Sequence, residues 1–280
     1  MDPRRGRLIK RLISAFHPFA LIEMNRGGGP RPRLGGITDT STVDWYGNVS
    51  LVAFFAGCNF RCPYCQNSGL LPMDSGEEVE LALLRRRIDL GLILLDSVVF
   101  TGGEPTLQPE ALTAAADLAK SFGLKVMLDT NGSRPEVVAG LLEAGLVDRV
   151  ALDVKAPLKA EDYGRVIGLP RLGGEMAGAV RRTLEVCSRR GVEVEARTTV
   201  APTLSDGPDF IARIASDIKG MCDVYYLQQF DNTGDVLSPL LKAAQPPSRE
   251  ALVRLAEAAL TAGLEGVHVK TREHGLERVG

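Results

Sequence analysis

The sequence predicts an α/β fold, an incomplete barrel built from six β-α units. Three observations carry this expectation. A unit of strand, helix, glycine and next strand recurs from Leu51 onward. The predicted strands all finish in polar residues. The 280 residues, 45% of them hydrophobic, are enough for one large domain with an ample core.

An extension, residues 1–36, precedes the first unit. Leu8, Ile9, Leu12, Ile13 and Phe16 recur at helical spacing among Arg4, Arg5, Arg7, Lys10 and Arg11. Pro18 ends that pattern, and residues 27–36 read as a Gly/Pro/Arg linker. The first 33 residues carry eight Lys/Arg against Asp2 and Glu23. Such a helix suits a membrane surface or a partner protein. The plainer reading has it plug the underside of the main domain, residues 37–280, with its charges in water.

The predicted strands span 51–56, 97–101, 124–128, 149–154, 192–200 and 223–227, with a seventh, shorter candidate at 266–270 before the end of the chain. Gly123, Gly145, Gly191 and Gly220 each stand between a helix and the next strand, where a left-handed C-cap belongs. Ser133-Arg134-Pro135-Glu136 has capping-box spacing with proline early in the helix. The order β-α-β-α requires parallel strands and right-handed crossovers. An open doubly wound sheet satisfies that order as well. The strand ends favour a TIM-type barrel: Gly102-Gly103-Glu104, Asp129-Thr130-Asn131, Asp153 with Lys155, Arg197-Thr198-Thr199 and Gln228-Gln229 would ring a single mouth.

Cys58-Asn59-Phe60-Arg61-Cys62-Pro63-Tyr64-Cys65 follows the first of these strands. Three cysteines spaced C-x3-C-x2-C can hold three irons of a cubane cluster and leave the fourth without a protein ligand. The alternative is structural zinc, which needs a fourth ligand; His17, His268 and His274 are all remote in sequence. Cys187 and Cys222 read as ordinary residues rather than ligands: Cys187 follows Val180 and Leu184 on one helix face, the place of a buried small hydrophobe. Thr101-Gly102-Gly103-Glu104-Pro105 offers a backbone that can be closely approached, followed by a carboxylate. A lone acidic residue at a strand end, such as Asp129 or Asp153, is more often a solvated turn or a helix cap.

The cysteine spacing, with an aromatic residue before the last cysteine, resembles the signature of the radical S-adenosylmethionine (SAM) enzymes. Within them the chain is similar to glycyl-radical-enzyme activases, the pyruvate formate-lyase and anaerobic ribonucleoside-triphosphate reductase activating proteins. The likeness rests on Ser41-Thr42-Val43-Asp44, the stretch from Phe55 to Cys65, Gly102 to Gln108, Ala151 to Leu158, and Arg197 to Val200. It implies a (β/α)6 partial barrel, a [4Fe–4S] cluster on Cys58, Cys62 and Cys65, and reductive cleavage of SAM to a 5′-deoxyadenosyl radical. It also implies SAM contacts from Tyr64, Gly102, Gly103, Glu104, Asp129, Thr130, Asn131, Asp153 and Lys155, with a monovalent cation held by the aspartates. The implied partners are a glycyl-radical enzyme, such as anaerobic ribonucleotide reductase, and a flavodoxin or ferredoxin as low-potential donor. Trp45-Tyr46-Gly47 departs from the family, standing where relatives carry a Pro-Gly turn. The second enzyme reading is a radical SAM enzyme acting on a small molecule or tRNA; a third class is a non-catalytic metal or electron-transfer protein.

Composition narrows the setting. A net charge of -2 gives no reason to expect nucleic acid as the main partner. Five cysteines, an odd number with three clustered, argue for a reducing cytoplasm. No run reaches the roughly 18 apolar residues of a membrane span, and the N-terminus lacks the pattern of a signal peptide.

Overall fold

A computed structural model describes residues 29–280. Most of the expected extension, including the helical pattern from Leu8 to Phe16, lies outside the described residues. The chain enters through β1 (Arg33–Ser41), turns back into β2 (Ser50–Phe55), and passes the cysteine loop to a short β3 (Glu77–Glu78). There follow α1 (Leu81–Gly91), β4 (Ser97–Gly102), α2 (Pro109–Ser121), β5 (Lys125–Thr130), α3 (Pro135–Glu143) and β6 (Arg149–Asp153). The rest comprises α4 (Ala160–Val166), α5 (Gly173–Arg190), β7 (Glu193–Val200), α6 (Pro208–Ile218) and β8 (Val224–Gln229). Last come α7 (Pro239–Ala243), α8 (Arg249–Thr261), β9 (Val267–Thr271) and β10 (Gly275–Arg278).

One sheet holds them all, in the order β10-β9-β8-β7-β6-β5-β4-β2-β1-β3. β2 and β4 to β9 pair in parallel, so the six expected strands are present and the short seventh candidate joins them as β9. β1 and β10 flank this run antiparallel. The parallel run therefore does not close on itself: the barrel is incomplete.

Strand alternation explains which face the helices cover. Leu51, Ala53 and Phe55 of β2, Val98 and Phe100 of β4, and Val126 and Leu128 of β5 belong to one large core with the helices. Their intervening neighbours Val52, Val99 and Met127, with Ala151 of β6, form a separate apolar layer capped by Trp45. A period of two sends alternate side chains to opposite faces. Helices on one face only is barrel packing, not a doubly wound sheet. Trp45, only 5% exposed, seals the floor of the lumen and carries Lys125 over its ring at 5.7 Å. The Trp45-Tyr46-Gly47 departure thus puts the tryptophan at the end away from the cysteines.

Two local expectations need correction. β1 begins at Arg33, inside the segment expected to be a linker; its Gly- and Thr-rich sequence shows no alternation, and pairing with β2 creates the strand. The capping box does not form. α3 starts at Pro135 with no side-chain cap, because the Ser133 hydroxyl accepts from Asn59 of the cysteine loop at 2.9 Å. The four punctuating glycines behave as expected: Gly123, Gly145, Gly191 and Gly220 all take φ between 66 and 75°. Cys187 is fully buried on the inner face of α5, as its apolar spacing predicts.

Candidate active site

The cysteine loop leaves β2 through Gly57, at φ +87°, and is held by its backbone. Gly57 and Cys58 donate N–H groups to the carbonyls of Leu70 and Leu71, and Arg61 donates to Ile167. The Arg61 guanidinium reaches the carbonyls of Cys58 and Phe60, each at 2.7 Å. A strap from the β8–α7 connection crosses the loop. Leu237 N–H donates to Cys65 at 3.1 Å, Ser238 N–H to Pro63 at 2.9 Å, and the Ser68 hydroxyl to Asp235 at 2.9 Å. With the backbone so engaged, the three thiols are left to line a cavity of about 750 Å³ at the mouth of the barrel.

Cys62 is buried, and Cys58 and Cys65 are half-buried. Burial pushes the Cys58 thiol up to about 11 and Cys62 to about 12, and raises Cys65. Unligated, these groups stay protonated, so binding a metal centre as thiolates releases protons. A single zinc ion needs ligands converging on one point. Among the described residues no three His, Cys, Asp or Glu side chains are grouped to hold one metal ion.

Gly102 and Gly103 serve a purpose the sequence did not suggest. A Cβ on Gly102, at φ +117°, would lie 2.4 Å from the Phe55 carbonyl oxygen, and one on Gly103 2.1 Å from that of Gly57. The close backbone approach they permit is that of the cysteine loop itself. Gly103 N–H donates to Phe55 at 2.8 Å and Glu104 N–H to Gly57 at 2.7 Å. The glycine pair therefore locks the β4 loop to the cysteines.

The Glu104 carboxylate, expected to face SAM, is fully buried and saturated. It accepts from the N–H and hydroxyl of Thr106, the Thr130 hydroxyl at 2.8 Å and the Asn131 N–H at 2.6 Å. Burial raises its pKa while the Asn131, Thr106 and Thr130 bonds lower it. Glu104 clamps the β4 and β5 loops together, and the Asn131 amide continues the clamp to Asn59 at 3.0 Å.

Beyond this corner the wall is charged. Asp129 meets Arg197 of β7 at 3.1 Å. Arg197 also binds Glu195, which pairs with Arg149 at 2.6 Å. Burial lifts Asp129 to about 6 against the pull of Arg197. Arg197 rises above the usual arginine value, since Asp129 and Glu195 outweigh the burial that opposes its charge. Lys155 pairs with Asp153 at 2.8 Å and lies 5.9 Å from the centre of the Tyr64 ring. Burial opposes its charge too, but Asp153 and Tyr64 hold it well above the ordinary lysine value.

All the residues assigned from the sequence line this one cavity: the three cysteines, Tyr64, the Gly-Gly-Glu stretch, Asp129, Thr130, Asn131, Asp153 and Lys155. Arg197, Thr199, Gln228, Gln229, Lys270 and Arg272 line it as well. The first four were visible as polar strand ends, but no spacing motif marked them as part of a site.

The sequence profile of the radical SAM superfamily matches residues 52–213, a span that holds the cysteine loop and every residue assigned above. The chain belongs to the radical SAM superfamily. It is 38% identical over 199 residues to a candidate glycyl-radical enzyme activating enzyme of Methanocaldococcus jannaschii, covering 71% of this chain and 80% of that protein. A pyruvate formate-lyase-activating enzyme of Clostridium pasteurianum is 30% identical over 196 residues, covering 69% and 78%. The crystal structure of a radical SAM methyltransferase from Sphaerobacter thermophilus shares the fold, with a TM-score of 0.60 at 18% identity over 81% of this chain and 67% of that one.

Membership in the superfamily implies a [4Fe–4S] cluster and SAM, and the donor set fits both. Three thiols face the cavity from one loop. Asp129 Oδ1 and the Tyr64 hydroxyl, on two cavity-lining residues, are buried without a hydrogen-bond partner, as groups awaiting a ligand would be. No helix among the described residues is long and apolar enough to cross a membrane.

Proposed function

We propose that this radical SAM enzyme is a glycyl-radical-enzyme activase whose partner is an anaerobic ribonucleoside-triphosphate reductase. One SAM and one electron from a flavodoxin or ferredoxin are consumed. Methionine and 5′-deoxyadenosine are released, and one glycine Cα–H of the partner becomes a glycyl radical. The observation that carries this reading is the 38% identity to the Methanocaldococcus jannaschii protein over 71% of the chain. When bound, the cluster and SAM supply the carbon radical that takes the hydrogen. The chain's own residues bind and orient. Cys58, Cys62 and Cys65 hold the cluster. Gly102 to Glu104 fix the loop beside it, and Asp129, Asp153 and Lys155 meet SAM by charge. Asp129 and Asp153 are the pair that would hold a monovalent cation. Walls that exclude water keep an indiscriminate radical on one C–H bond. A reducing cytoplasm suits this chemistry.

Reconstituted without oxygen, the protein should bind about four irons. With dithionite, SAM and the reductase it should give a persistent glycyl doublet in EPR, and deuterium placed at that glycine should appear in 5′-deoxyadenosine. Cys58→Ala, Cys62→Ala and Cys65→Ala should each abolish the doublet, whereas Cys187→Ala should keep it. Deuterium transfer from a small molecule or a tRNA, with no glycyl radical formed, would replace the activase reading by the second one.

A further inference from the structure

The seventh parallel strand, β9, adds to the wall of the cavity that also holds the residues assigned to SAM. Thr199 of β7 is the register partner of Gln228 of β8, and Gln228 is that of Lys270 of β9. All three line the cavity. Strands stand about 4.8 Å apart, so this level row is roughly 10 Å long.

The row is short of partners. Neither the Thr199 hydroxyl nor the Gln228 amide has a hydrogen-bond partner among the described residues. Lys270 donates to the Val43 carbonyl at 2.9 Å and lies over the Tyr46 ring at 5.3 Å. The other cations of the cavity wall each have a carboxylate: Lys155 has Asp153, Arg197 has Asp129, and Arg272 has Asp231 at 3.9 Å. Lys270 has none within 4 Å among the described residues.

The chemistry of the row selects its ligand. An ammonium donates, an amide both donates and accepts, and a hydroxyl does either. That set complements the alternating carbonyl and N–H groups of an extended polypeptide. It does not suit nucleic-acid phosphates, because four cavity cations face the five carboxylates of Glu104, Asp129, Asp153, Asp231 and Glu273. The geometry points to Thr199, Gln228 and Lys270 as a rail that holds the backbone of the glycine-bearing segment of the substrate protein. This inference rests on the activase reading and names the part of the cavity that meets the partner.

The test uses reconstituted holoenzyme and the source organism's anaerobic ribonucleotide reductase. Lys270→Ala combined with Gln228→Ala should raise KM for the reductase about tenfold or more and leave the SAM dissociation constant within about twofold. Lys270→Arg, which keeps a donor, should recover most of the loss; a merely structural role would not separate the two constants in this way. An equal loss of SAM affinity would assign the row to SAM and overturn the inference. A wild-type glycyl radical with KM unchanged in the double variant would overturn the inference alone. No glycyl radical from wild-type protein would overturn the activase reading and the peptide rail with it.

Discussion

Glu104 and Asp129 stand at the ends of the neighbouring strands β4 and β5, both drawn away from water, in contrasting surroundings. Glu104 accepts four hydrogen bonds from Thr106, Thr130 and Asn131. Asp129 shares one oxygen with Arg197 and leaves the other buried without a partner. A withdrawn carboxylate is costly unless donors replace its water. At the β4–β5 corner the protein supplies every donor, so the group is a clamp. On the wall toward β7 it supplies too few, so the group is available to a ligand. Position at a strand end does not assign a role; the count of donors does.

The contrast can be broken most severely at Glu104. Glu104→Ala leaves the donors of Thr106, Thr130 and Asn131 unsatisfied and should destabilise the fold by about 3–5 kcal/mol, read as a lower urea midpoint. Iron content should fall with it, because the clamp holds the loop beside the cysteines. An alanine variant as stable as wild type, deficient only in SAM binding, would put Glu104 in the same class as Asp129.

A smaller effect should appear at Asp129 as pH changes. Burial lifts its folded-state pKa from 3.8 to about 6, so the folded state binds this proton more tightly than the unfolded chain. Its contribution is fully present below about pH 4 and is lost as pH rises through about 6. Between those limits the metal-free protein should lose roughly 2–3 kcal/mol relative to Asp129→Asn, which cannot titrate. Chemical denaturation of both proteins across that range checks the sign. Parallel curves would show that Arg197 already neutralises the aspartate.

The smallest effect concerns Lys155. Its partner Asp153 is 39% exposed, so water can replace the lysine there. Lys155→Met should lower the stability of the metal-free protein by less than Glu104→Ala does and should weaken SAM binding about tenfold, roughly 1.4 kcal/mol. Equilibrium binding to the reconstituted protein measures it. A large loss of stability would class Lys155 with the clamp.

Much of this was legible in the sequence where the information is local. The parallel strands, the glycine caps and the cysteine loop depend on residues within a few positions of one another. The flanking strand β1 did not announce itself, because its order comes from β2 rather than from its own alternation. The meaning of Gly102 and Gly103 was half legible: the spacing showed that something approaches closely, but that it is the backbone of Phe55 and Gly57 is a tertiary fact. The chain of charges from Arg149 through Glu195 and Arg197 to Asp129 joins three strands, and no local pattern betrays such a chain. Ser133 illustrates the opposite error, a valid local motif overruled by Asn59 from another loop.

The strap across the cysteine loop has a consequence for the order in which the molecule is built. Ser68 and its partner Asp235 are 167 residues apart. At rates of synthesis of about 5–20 residues per second, that separation is roughly ten to thirty seconds. During that interval Cys58, Cys62 and Cys65 have left the ribosome while the chain that will cover them has not been made. Iron delivery and oxidative damage compete for the bare thiols in that window. Pausing translation between the two segments should therefore shift the share of molecules that mature with a complete cluster.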